Sequence, residues 1–81
     1  MKVFFFGRLA DSFGTEMELD VPDDGCTIAE LRRRLASAVP EAADELASTG
    51  VRACIDRTMV GENAQVLPHH EIAFVPPLSG G

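Results

Sequence analysis

The period of apolar residues changes several times along the chain, and each change predicts an element. Residues 2–7, Lys-Val-Phe-Phe-Phe-Gly, are β-branched and aromatic up to a glycine and read as a first strand. Val3 and Phe5 share one face of it and Phe4 and Phe6 the other, so both faces call for cover. After a loop or single helical turn over 8–14, Glu16 to Val21 alternates strictly, with Met17, Leu19 and Val21 inward and three acids outward. That pattern is a half-exposed second strand at a sheet edge. Pro22-Asp23-Asp24-Gly25 makes a turn, and Thr27-Ile28-Ala29-Glu30 fits a capping box in which Glu30 also reaches back to the cap. A helix therefore starts at Thr27 and buries Ile28, Leu31, Leu35 and Val39, while Arg32, Arg33 and Arg34 spread over about 200° of its circumference as a solvated face.

Pro40 opens a short second helix and Gly50 closes it. Val51 to Asp56 alternates again, with Val51, Ala53 and Ile55 inward, and gives a third strand. Residues 57–70 are irregular, anchored by Met59, Val60, Val66 and Leu67. Glu71-Ile72-Ala73-Phe74-Val75 reads as a last strand, apolar on both faces and hence central, and Pro76 and Pro77 end its pairing. A hairpin, a helix crossing the sheet and a last strand beside the first make an α+β chain of the ubiquitin-like β-grasp type. Its mixed sheet has four to five strands, with one main helix on one face. The β-grasp domain takes residues 1–76 and an extended tail residues 77–81. One sheet face is left without a helix, and an apolar patch there marks a partner surface. Either Phe5 or the pair Phe4 and Phe6 faces out; Phe4, Phe6 and Phe74 are the candidate interface residues.

Composition narrows the function. With 81 residues there is room for one domain, and a formal charge of −6 disfavours nucleic acid and anionic membrane while favouring basic protein surfaces. The apolar run at the N-terminus is too short for a signal peptide or a span, which suits a cytoplasmic protein. Cys26 and Cys54 lack the density of a disulfide framework and read as structural thiols. His69 and His70 are adjacent on an extended stretch, where side chains diverge, so no metal site is expected from them. No nucleophile with a paired base and no phosphate loop is present.

The candidate chemistry sits at Gly80-Gly81. Without a Cβ, a Gly-Gly tip enters a channel too narrow for other residues and can present a carboxylate to another protein's groups. The run Val3-Phe4-Phe5-Phe6-Gly7-Arg8-Leu9-Ala10 with Gly14, and the ending Phe74-Val75-Pro76-Pro77-Leu78-Ser79-Gly80-Gly81, resemble the small subunit of molybdopterin synthase, one of the ubiquitin-like sulfur carriers. The resemblance spans the chain in length and element order. It departs at Leu67-Pro68-His69-His70-Glu71, where an acidic, glycine-containing turn is common in that family.

What the resemblance implies is chemistry on the Gly81 carboxylate, an anion at neutral pH and a poor electrophile until activated. A ubiquitin-activating-enzyme-like adenylyltransferase would use ATP to adenylate Gly81, and a sulfur donor protein would convert it to a thiocarboxylate. The loaded tail would then enter the large subunit of the synthase, in a heterotetramer, and give sulfur to cyclic pyranopterin monophosphate. On this reading the chain is the sulfur-donating subunit, binds no cofactor or metal itself, and leaves catalytic residues to its partner. Pro77, Leu78, Ser79 and Gly80 would be the tail-binding residues, and five residues at about 3.3 Å each reach roughly 16 Å. The rivals are a carrier for thiamin thiazole or cysteine synthesis and a ubiquitin-like protein modifier.

Overall fold

The computed structural model describes residues 1–47 and 50–76. In chain order these form β1 (Lys2–Phe5), α1 (Leu9–Phe13), β2 (Glu16–Glu18), β3 (Cys26–Thr27), α2 (Ile28–Ala38), a 3₁₀ turn (Pro40–Ala42), α3 (Ala43–Leu46), β4 (Arg52–Ile55), β5 (Thr58–Val60), β6 (Gln65–Val66) and β7 (Ile72–Val75). Five strands make one mixed sheet in the order β2-β1-β7-β4-β5, and β3 pairs with β6 in a separate two-stranded ladder. β1 and β7 run parallel, with Val3 opposite Ile72 and Phe5 opposite Phe74. The remaining pairs of the main sheet are antiparallel. β7 is central, as an unbroken apolar run requires, and β2 is an edge, as its outward acids require.

One face of the sheet is buried. Val3, Phe5, Ala53, Ile72 and Phe74 meet Ile28, Leu31 and Leu35 of α2, each with at most 2% of its surface exposed. α1 closes one end, with the Phe13 ring stacked on Phe5 at 4.5 Å between centroids. α2 begins where the sequence predicts: the Thr27 hydroxyl accepts from the Glu30 amide at 3.1 Å. The reciprocal half of the capping box is not made. Glu30 instead turns to Arg33 and Arg34, at 2.9 and 3.3 Å, while the Ile28 and Ala29 amides donate to the Ala64 and Glu62 carbonyls. Carbonyls 33 and 36 residues downstream of the amides they accept from thus cap this helix, which no local pattern can announce.

Three further expectations are corrected. Arg32 is not solvated: its side chain is 18% exposed and donates to Glu62 and to the Leu46 and Val51 carbonyls, each at 2.8 Å. Its guanidinium also lies 5.2 Å from the centre of the Phe74 ring. Met59 is no anchor, being 54% exposed on the outward side of β5. The second strand stops at Glu18 rather than Val21, since beyond Leu19, whose amide donates to the Met1 carbonyl, the neighbouring strand has ended.

Gly25 shows why the 22–25 turn needs glycine. Its φ is +85°, and an added Cβ would collide with the Val66 carbonyl oxygen of β6.

Candidate functional site: the uncovered sheet face and the chain exit

The face away from α2 is assembled by register. Phe4 stands opposite Ala73, Ala73 opposite Cys54, and Cys54 opposite Met59, so these four form one row across four strands. Phe4 is half-buried by its neighbours, whereas Phe6, on the same side, is 52% exposed. Between them runs a groove of about 460 Å³ lined by Phe4, Phe6, Cys54, Arg57, Glu71, Ala73 and Val75.

The sequence left open which strand-one phenylalanines face outward. Phe5 lies in the core, and Phe4 and Phe6 are on the uncovered face. Phe74 is corrected. It is fully buried, stacked on Phe5 at 6.0 Å and capped by Arg32, so it belongs to the core rather than to a partner surface. Because both faces of the last strand are apolar, hydrophobicity could not reveal its parity; the register does, and the outward positions of β7 are Ala73 and Val75.

The chain leaves the sheet beside this face. β7 ends at Val75, and the ring of Pro76 rests on Gly7, whose φ is +61° and whose missing Cβ would lie 2.7 Å from Pro76 Cγ. The amide of Phe6 donates to the Phe74 carbonyl at 3.2 Å, holding the two segments together just before that point. The exit is therefore fixed by the central strand pair. Pro77, Leu78, Ser79, Gly80 and Gly81 lie outside the described residues.

Cys26 is buried and Cys54 half-buried, and both are free thiols. Burial pushes the Cys26 thiol up, with Arg34 opposing and Glu30 adding to the shift. His69 is exposed; His70 uses Nδ1 to accept the Leu67 amide at 2.9 Å, a turn-forming role. Among the described residues no group of three or more His, Cys, Asp or Glu could hold a metal, and no helix is long and apolar enough to cross a membrane.

A five-stranded mixed sheet with a parallel β1–β7 centre and one long helix on a single face defines a ubiquitin-like β-grasp protein. Small archaeal modifier protein 1 of Haloferax volcanii superposes with a TM-score of 0.79 at 19% identity, covering 95% of each chain. A putative molybdopterin converting factor subunit 1 from Pyrococcus furiosus gives 0.77 at 20% identity, again over 95% of each. The sequence itself goes further than the fold: the ThiS family model matches residues 3–81, and the chain belongs to the ThiS family. It is also 30% identical to the molybdopterin synthase sulfur carrier subunit of Escherichia coli K12, over 100% of this chain and 99% of that protein.

Proposed function

We propose that this chain is a sulfur carrier for molybdenum cofactor biosynthesis, loaded on the α-carboxylate of Gly81. The observation that carries the reading is the family match, which continues without a gap in coverage from the first strand through Gly81, together with the full-length relative in Escherichia coli. The uncovered face beside the exit supports it, since a partner docking on Phe4 and Phe6 would lie next to the residues that precede the terminal glycines.

Adenylation by an activating enzyme joins the Gly81 carboxylate to the α-phosphorus of ATP and expels pyrophosphate, turning a poor leaving oxygen into a good one. Attack by a hydrosulfide equivalent on the acyl carbon forms the C–S bond as AMP departs, leaving a thiocarboxylate. Within the large subunit the thiocarboxylate sulfur would attack a side-chain carbon of cyclic pyranopterin monophosphate and displace an oxygen group there, and water would then cleave the acyl–sulfur bond, leaving sulfur on the pterin and the Gly81 carboxylate regenerated. This chain contributes the reacting terminus and the docking face; acids and bases for the transfer belong to its partners.

Intact-mass measurement after incubation with the activating enzyme, ATP and a sulfide source tests the loading step. The expected product has one oxygen exchanged for sulfur, absent when Gly81 is deleted. Loading of the truncated chain, or no dithiolene formed when the loaded chain meets the large subunit and the pterin, refutes the assignment. A second reading, isopeptide attachment of Gly81 to lysines of other proteins, draws on the same glycine pair borne on a fold shared with the archaeal modifier protein. It predicts conjugates that survive denaturation and reduction.

A further inference from the structure

The chain carries a net charge of −6, yet two of its unpaired arginines stand on the face where the partner would sit. On the helix side every arginine has an ion-pair partner: Arg32 has Glu62, and Arg33 and Arg34 share Glu30. At the β2 edge, Lys2 lies 3.6 Å from Glu16 and the Met1 amino group 2.8 Å from Glu18. Among the described residues Arg8, Arg52 and Arg57 have no ion pair. Arg52 is exposed on the outward side of β4, opposite Val75, and Arg57 lines the groove between Phe4 and Phe6.

Arg57 also sits where its own backbone would choose otherwise. Asp56 and Arg57 are the two loop residues of the β4–β5 hairpin, with φ of +47° and +71°. Such a turn favours Asn-Gly or Asp-Gly, because a side chain bearing a Cβ is disfavoured at positive φ. Asp56 is accounted for: its carboxylate accepts the Glu71 amide at 2.8 Å and its amide donates to the Glu71 carbonyl. Arg57 has no such local use. A long cation held in a left-handed turn, without an ion pair although Glu71 lines the same largely apolar groove, is costly to the fold and useful to an interface.

We propose that Arg52 and Arg57 are partner-selecting residues, and that the surface docking on this face presents carboxylates around an apolar side chain that enters the Phe4–Phe6 groove. This rests on the sulfur-carrier reading for the identity of the partners and deepens it by stating their chemistry. It reverses what net charge alone implies: the whole chain favours basic surfaces, but the docking face selects an acidic rim. Charge complementarity of this kind fixes register and rejects wrong partners.

The test is calorimetric titration of the chain into the large subunit of the same organism's molybdopterin synthase and, separately, into its activating enzyme. Arg52→Glu and Arg57→Glu should each weaken at least one of the two complexes by about tenfold or more at low salt, with the penalty shrinking as ionic strength rises. Arg33→Glu makes the same charge change on the helix side and should stay within about twofold of wild type. Arg57→Gly should unfold at the same or a higher temperature while binding more weakly, separating recognition from stability. Reversals that leave both affinities unchanged, or an Arg33→Glu loss of equal size, overturn the proposal while the sulfur-carrier reading stands. Wild-type chain that binds neither protein overturns both.

Discussion

Replacing Arg32 by methionine isolates the least expected contact in the fold. Methionine keeps an unbranched apolar stem but ends two atoms short of the guanidinium tips and removes the three donors in use. The Leu46 and Val51 carbonyls, both on partly buried backbone, lose charge-assisted bonds of 2.8 Å. Each such bond contributes about 1.5–3 kcal/mol, and a partly buried carbonyl left without its donor bears a desolvation cost as well. The Glu62 pair, whose carboxylate is half exposed, adds under about 1 kcal/mol, and the stacking on Phe74 about 0.5–1. Because these contacts share one side chain they do not add fully, and a net loss of about 3–4 kcal/mol is expected. For an 81-residue domain with about 4–12 kcal/mol in hand, that is a large share of the total. Urea denaturation followed by circular dichroism measures it, with two controls. Arg32→Lys, which can satisfy one carbonyl but not both, should lose about 2 kcal/mol, and Glu62→Gln less than about 1. A loss below about 1 kcal/mol for Arg32→Met, or equal losses for Arg32→Met and Glu62→Gln, would refute the clamp.

Two more outcomes follow from local geometry. Gly25→Ala forces a Cβ onto the Val66 carbonyl at a positive φ, so it should cost about 2–4 kcal/mol by thermal or urea unfolding and should loosen the β3–β6 pair first, visible as lost amide protection at Val66. The two thiols should separate by reactivity: iodoacetamide labels half-buried Cys54 well before buried Cys26, read by peptide mass. Since burial raises the Cys26 thiol above its ordinary range, the folded state holds that proton more tightly than the unfolded chain does. Its contribution is complete below the ordinary thiol range and is lost as pH climbs through the raised value. Wild type should therefore lose more stability at alkaline pH than Cys26→Ala does, and parallel pH profiles would count against it.

What the sequence could and could not disclose divides by the range of the interaction. β1, β2, β4, β7 and α2 are legible because period and capping are local, and the central place of β7 follows from its unbroken apolar run. The β3–β6 ladder and the capping of α2 by Glu62 and Ala64 are not, since each joins segments more than 30 residues apart through backbone atoms. The site divides likewise. Phe4 and Phe6 read as candidates for an uncovered face, but an apolar strand has no parity signal, so the sequence offers Phe74 for that face while the fold buries it. Arg32, Arg33 and Arg34 look alike on a helical wheel. Only the Leu46 and Val51 carbonyls, brought beside α2 by the tertiary fold, turn one of them inward.

Under the proposed function the same geometry lets one strand serve both stability and delivery. β7 is bonded on both sides, with Phe74 at the centre of the core and Ala73 and Val75 on the uncovered face, and Pro76 packs on Gly7 where the strand ends. A partner bound at Phe4 and Phe6 therefore grips the strands that anchor the exit, rather than a loop that could move independently of it. Force or ordering imposed on residues beyond Pro76 is borne by backbone bonds to β1 and β4 and by the Arg32 clamp behind Phe74. An Arg32→Met chain that still folds in stabilising osmolyte should therefore bind its partners with less precise placement of Gly81. Sulfur transfer from the loaded chain should slow more than binding weakens, and proportionate losses in the two would show that the clamp acts on stability alone.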